Sequence, residues 1–221
     1  MKLPTVRTPH GPSRLTVHAP DDPRAVLLLG HGAGGGTHAF DLVTLAAELP
    51  SRGIVVVLHE QPWRVAGKRV AARPPILDEG WRPALDRMLA EYPGVPLWVG
   101  GRSAGARVAC RCFDERQAGV VCLAFPLHPP GKPENSRIAE LAGVAGPVLV
   151  IQGERDPFGS PEDVRAAAAE AGGAQPQVVA VAGAHSFGPR SRADRAGAER
   201  LKRTLVTSVA DFVLGTHQPA P

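Results

Sequence analysis

The sequence predicts an α/β fold with a mostly parallel central sheet, and three observations carry that prediction. Short runs of Val, Leu and Ile alternate with segments whose apolar residues recur at helical spacing. No internal repeat or long linker divides the chain, so one domain over residues 1–221 is expected, with flexible tails at 1–14 and 215–221. Glycine is concentrated just after the apolar runs, where twelve of 25 fall in or beside four post-strand segments. With 25 Gly and 23 Pro in 221 residues the chain is loop-rich, yet 43% hydrophobic and 21% charged residues are globular values that exclude disorder and collagen.

The elements follow in order. Leu15 to His18 reads as an edge strand and Ala25 to Leu29 as a buried strand, followed by a helix at Asp41 to Leu49 that places Leu42, Leu45, Ala46 and Leu49 on one side. Gly53 opens a strand at Ile54 to Leu58. Residues 61–80, with Arg64, Lys68, Arg69, Arg73 and two adjacent prolines, read as an irregular loop walling the site. A helix at Trp81 to Ala90 and a strand at Leu97 to Val99 lead into a helix starting near Ala104. Strands at Val120 to Phe125, Val148 to Gln152 and Gln177 to Val181 follow, with an Ala-rich helix at Pro161 to Ala171 before the last. The terminal helix, Asp194 to Leu214, aligns Leu201, Leu205, Ser208 and Phe212.

Charge and cysteine usage narrow the class. The net charge of +4 is spread along the chain without a run of five or six like charges, so no nucleic-acid partner is expected. Asp194 and Glu199 interrupt the densest basic stretch, Arg190 to Arg203, which reads as a solvated helix face. The N-terminal stretch has no apolar signal core and no window reaches a membrane span, so no membrane partner is expected. Cys110, Cys112 and Cys122 are too few and clustered for a disulfide framework, and together these features point to the cytoplasm. No cofactor or metal is called for: the histidines form no H-x-x-x-H and join no cysteine pair.

The strongest chemical signal is Gly101-Arg102-Ser103-Ala104-Gly105, a G-x-S-x-G between a strand and a helix. A nucleophile on so sharp a turn needs small residues two before and two after it, and Gly101 and Gly105 meet that need. A serine nucleophile also needs a base and an orienting carboxylate, each on a loop after a later strand. Asp156 follows the strand ending at Gln152, with Glu154 as the alternative acid. His185 follows the last strand, whereas His10, His18, His31, His38, His59 and His128 precede the acid and His217 sits in a Pro-flanked tail. Ser103, Asp156 and His185 are therefore the expected catalytic residues, the histidine taking the serine proton and the aspartate fixing its tautomer. The backbone N–H of Ala104 is one oxyanion donor, and Ala33 or Gly34 in His31-Gly32-Ala33-Gly34-Gly35-Gly36 supplies the second. Arg102, beside the nucleophile, is expected to attract a substrate carboxylate or phosphate.

The same loop competes for a different reading, because Gly30-His31-Gly32-Ala33-Gly34-Gly35 matches G-x-G-x-x-G after a strand. Glu60 lies 30 positions beyond Gly30 rather than about 20, and a dinucleotide site leaves Ser103, Asp156 and His185 unexplained.

Leu29 to Gly34, Gly101 to Gly105, Phe125 to Pro133, Gln152 to Asp156 and Gly183 to Phe187 together resemble the alpha/beta-hydrolase superfamily. More narrowly they resemble its dienelactone-hydrolase-like branch, which contains testis-expressed protein 30 and a subunit of the NSL chromatin complex. The resemblance spans about Ala25 to Leu214. It implies an alpha/beta-hydrolase fold in a minimal form, without a large cap, since only about 20 residues separate Phe125 from Val148. Its most branch-specific part, Phe125 to Pro133, follows a strand and adds His128 as a substrate-binding residue. Dienelactone hydrolase itself uses a cysteine nucleophile, so that substrate does not carry over to a chain with Ser103. The expected activity is a serine hydrolase acting on carboxylic ester or thioester bonds of small molecules. The alternative is an idle hydrolase fold used to bind a protein partner.

Overall fold

The computed structural model describes residues 5–173, 175–187 and 194–215. Gly188, Arg190, Arg192, His217 and the expected tail segments 1–4 and 216–221 lie outside the described residues. The elements are β1 (Val6–Thr8), β2 (Gly11–His18), β3 (Ala25–Gly30), α1 (Phe40–Glu48), β4 (Ile54–Glu60), α2 (Pro62–Val65), α3 (Pro74–Glu91) and β5 (Leu97–Arg102). They continue with α4 (Ala104–Arg111), β6 (Gly119–Leu123), α5 (Ile138–Ala142), β7 (Val148–Gly153), α6 (Pro161–Ala171), β8 (Gln177–Val181) and α7 (Arg195–Leu214).

The sheet has eight strands in the order β1-β2-β4-β3-β5-β6-β7-β8, and all pairings from β4 to β8 are parallel. Both faces of the central strands are covered, so their side chains alternate between two cores instead of between core and solvent. Val26, Leu28, Val55 and Val57 pack with Trp81, Leu85 and Met88 of α3 and Val108 of α4. Leu27, Leu29, Val56 and Leu58 pack with Leu42 and Leu45 of α1 and Leu205 and Val209 of α7. After β3 the chain moves outward to β4, then returns to the other side of β3 as β5. Strand order reverses there, which opens a crevice at the carboxyl ends of β3 and β5.

Three expectations change. Residues read as a tail to position 14 form β1 and the first half of β2, which pair antiparallel; β2 also pairs with β4, so the outer edge belongs to β1. The 61–80 segment is partly helical: Pro62 opens α2, and Pro74 and Pro75 open α3, because a proline in the first helical turn forfeits no hydrogen bond. On α7 the buried line runs through Leu201, Leu205, Val209 and Val213, while Ser208 and Phe212 are half-buried beside it.

Candidate active site

Ser103 joins β5 to α4 with φ 52° and ψ −110°, a left-handed conformation that a side chain adopts only under constraint. The constraint comes from close backbone contact. A Cβ on Gly101 would lie 2.5 Å from the carbonyl oxygen of Gly30, and one on Gly105 would overlap the same carbonyl. Gly101 also has φ 156°, which favours glycine. The Ser103 N–H donates to Leu123 O at 2.9 Å, tying the turn to the neighbouring strand.

The base and acid arrive on loops after β8 and β7. The N–H of Glu154 donates to Val181 O and that of Arg155 to Gly183 O, both at 2.9 Å, so the two loops continue the pairing of their strands. Asp156 is buried, whereas Glu154 is exposed and does not line the cleft. Asp156 Oδ2 lies 2.9 Å from His185 Nδ1, and His185 Nε2 lies 2.9 Å from Ser103 Oγ. A carboxylate only accepts, so Nδ1 carries the imidazole proton and Nε2 is free to accept from the serine hydroxyl. Asp156 is itself held by the Phe158 N–H on Oδ1 at 2.9 Å and by Gln152 Nε2 on Oδ2 at 3.1 Å. The Phe158 ring lies against the imidazole, with 4.2 Å between centroids.

The loop after β3 forms the opposite wall. Its anchor is His31, whose Nε2 accepts from the Gln61 N–H at 3.1 Å, leaving Nδ1–H to donate to Gly32 O at 2.9 Å. Burial holds the His31 pKa below the ordinary histidine value, which keeps this neutral tautomer. Ala33, Gly34 and Ala104 line one cleft of about 610 Å³ with Ser103 and His185. Arg102 lines it too, but its guanidinium donates to Asp41 Oδ2 and to His185 O, each at 2.8 Å. His128 does not line the cleft; its Nδ1 faces Pro129 O at 2.9 Å.

The dinucleotide reading loses its geometry, because α1 begins at Phe40, well past the glycines that such a fingerprint places at a helix N-terminus. Glu60 pairs with Arg14 at 2.9 Å. Among the described residues no three His, Cys, Asp or Glu side chains cluster to hold a metal ion.

Sequence reasoning passed over Asp41, Gln152, Phe158, Arg107 and Arg137. Gln152 carried a legible signal, a lone amide in the apolar run Val148 to Gln152. Asp41 carried none, since its partner Arg102 is 61 positions away.

A family model described as an alpha/beta hydrolase domain matches residues 23–214. Among solved structures the chain is similar to an alpha/beta serine hydrolase homologue from Coxiella burnetii, with 21% identity, TM-score 0.74, and 95% of this chain and 97% of that one covered. It is also similar to an alpha/beta serine hydrolase without lid from Xanthomonas campestris, with 22% identity, TM-score 0.71, and 100% and 96% covered. A cold-adapted esterase from an Arctic intertidal metagenomic library has 16% identity, TM-score 0.68, and 95% and 92% covered. These likenesses establish the fold, and with the family match over most of its length the chain belongs to the alpha/beta hydrolase domain family.

Proposed function

We propose that this protein is a serine hydrolase that cleaves carboxylic ester or thioester bonds of small molecules through an acyl-enzyme on Ser103, within a single alpha/beta-hydrolase domain. The observation that carries this reading is the unbroken relay from Asp156 through His185 to Ser103, with both links at 2.9 Å, at a strained strand-to-helix turn facing an open cleft. A fold retained only for protein binding has no need of that strain or of a correctly protonated histidine.

In the proposed reaction Ser103 Oγ bonds to the substrate carbonyl carbon as its proton passes to His185 Nε2. The leaving oxygen or sulfur then takes that proton from His185 as its bond to the carbonyl carbon breaks. Water repeats the sequence on the acyl-enzyme, its proton moving through His185, and the acid is released with Ser103 restored. The N–H groups of Ala104 and Ala33 are the oxyanion donors. Support for Ala33 over Gly34 comes from peptide geometry. The Gly32 carbonyl turns to His31 and the described peptides are trans, so the Ala33 N–H points the opposite way from that carbonyl.

We also assign the chain to the dienelactone-hydrolase-like branch, supported by the Phe125 to Pro133 segment, whose Pro126 lines the cleft. The free, buried Cys110, Cys112 and Cys122 support a cytoplasmic setting. No helix of the described residues is long and apolar enough to cross a membrane.

The test is labelling with a fluorophosphonate probe beside hydrolysis of short-chain p-nitrophenyl esters. Wild type is expected to label and turn over, with Ser103→Ala losing at least about 10⁴-fold in kcat. A wild type that neither labels nor exceeds the Ser103→Ala background overturns the proposal.

A further inference from the structure

Among the described residues, three arginines and no acid line the cleft in front of Ser103. Arg102, Arg107 and Arg137 line it, no Asp or Glu does, and the residues outside the described set contain neither type. Two of the cations are committed. Arg102 is bound to Asp41, and Arg107 donates through Nε and Nη2 to the two oxygens of Glu140 at 2.7 and 2.6 Å. Glu140 also accepts from Arg111 at 3.2 Å, and Arg111 donates to both oxygens of Asp78 at 2.6 and 2.9 Å. Arg107, Arg111 and Arg137 therefore set three positive charges against the two carboxylates of Asp78 and Glu140.

Arg137 is the cation left over. Its Nη1 donates to Pro126 O at 3.0 Å, and among the described residues no carboxylate lies within ion-pair distance of it. Burial, and then the neighbouring charge of Arg107, holds its pKa below the ordinary arginine value. A half-buried guanidinium with its Nε and Nη2 edge uncommitted favours an anion that can accept two parallel hydrogen bonds. Arg107 leaves Nη1 uncommitted beside it.

We infer that the substrate carries an anionic oxyacid group, a carboxylate or a phosphate, which Arg137 binds together with the free edge of Arg107 while the scissile carbonyl sits at Ser103. This rests on the hydrolase reading above and names its substrate class. It also moves the expected anion contact from Arg102, whose guanidinium is bound to Asp41 and the His185 carbonyl, to Arg137.

Three matched ester pairs test it. They are p-nitrophenyl hemiglutarate against p-nitrophenyl pentanoate, 4-acetoxybenzoate against its methyl ester, and 4-acetoxyphenyl phosphate against phenyl acetate. At least one anionic member is expected to exceed its neutral partner in kcat/KM by about tenfold or more, the value of one charge-assisted bond. That ratio should collapse in Arg137→Gln and recover in part in Arg137→Lys, while Arg165→Gln, a charge change outside the cleft, keeps it. The winning pair identifies carboxylate or phosphate, and acyl or leaving group. If esters are turned over with no ratio that depends on Arg137, the anion site is overturned and the hydrolase stands. If none is turned over, calorimetric titration of the Ser103→Ala protein with glutarate, benzoate and phenyl phosphate decides. Binding that Arg137→Gln abolishes upholds the site although the hydrolase reading has failed, and its absence overturns both.

Discussion

Two glycine-rich stretches meet at the cleft, and they use glycine for opposite reasons. In the turn around Ser103 there is no room: Cβ atoms on Gly100 and Gly105 would overlap the backbones of Val121 and Gly30. In the loop after β3, Gly34 and Gly35 have no atom within 4 Å of a Cβ position. Composition presents both as one excess of glycine, readable as backbone freedom. The structure divides it into a tightly packed turn, where glycine lets strand and helix touch, and an open wall, where it leaves space in front of the nucleophile.

The largest effect that follows is on the packed side. Gly105→Ala drives a methyl into the Gly30 carbonyl between α4 and β3, and the loss should be about 3 kcal/mol, the upper end of what overpacking costs. Urea denaturation reads it, and a loss under about 1 kcal/mol would break the contrast between the two stretches.

This contrast also marks what was legible beforehand. The alternation of apolar runs and helical spacing is local, so β3 to β8, α6 and the Ser103 turn were readable from residues close in sequence. The order of acid and base could be read for the same reason. Pairings between distant segments could not: β2 on β4, Asp41 on Arg102, and Glu140 between Arg107 and Arg111. Arg102 shows the difference well. Its place beside the nucleophile suggested a substrate contact, yet residues 61 and 83 positions away take its guanidinium.

A second prediction concerns how the base loop is held, by side-chain bonds where the turn is held by backbone contact. Arg102→Met removes the donors to buried Asp41 and to the His185 carbonyl, costing about 2 kcal/mol of stability. The same change should lower kcat about tenfold by loosening the imidazole. Unchanged kcat with reduced stability would confine Arg102 to the fold.

The open loop also rests on a titratable floor that the turn lacks. His59, beside Gly30 in the sheet and edge-on to Trp81, is fully buried, and desolvation drives its pKa down to about 3. The unfolded chain binds that proton near pH 6.5 and the folded chain does not. Stability contributed by neutral His59 is therefore present above pH 6.5 and falls by about 1.4 kcal/mol per pH unit as pH drops toward 3. His59→Phe should remove that component of the slope, measured as the difference between the two proteins' unfolding free energies from pH 6.5 to 4. Parallel slopes would show that His59 is not held neutral.

The smallest stability effect should come from the open wall. Gly35 lines the cleft, touches nothing at its Cβ position and does not have a left-handed φ, so Gly35→Ala should shift stability by no more than about 0.5 kcal/mol. If the space serves substrate and not the fold, a larger side chain should act on chain length alone. Gly35→Leu adds bulk to the cleft that Gly35 and Ser103 both line and should lower kcat/KM for p-nitrophenyl octanoate more than for the acetate, with the unfolding midpoint little changed. Equal losses on both esters would mean that the leucine disturbs the oxyanion donors themselves. A large fall in stability would mean that this glycine, like Gly105, is held by the fold, and the two stretches would then use glycine for the same reason.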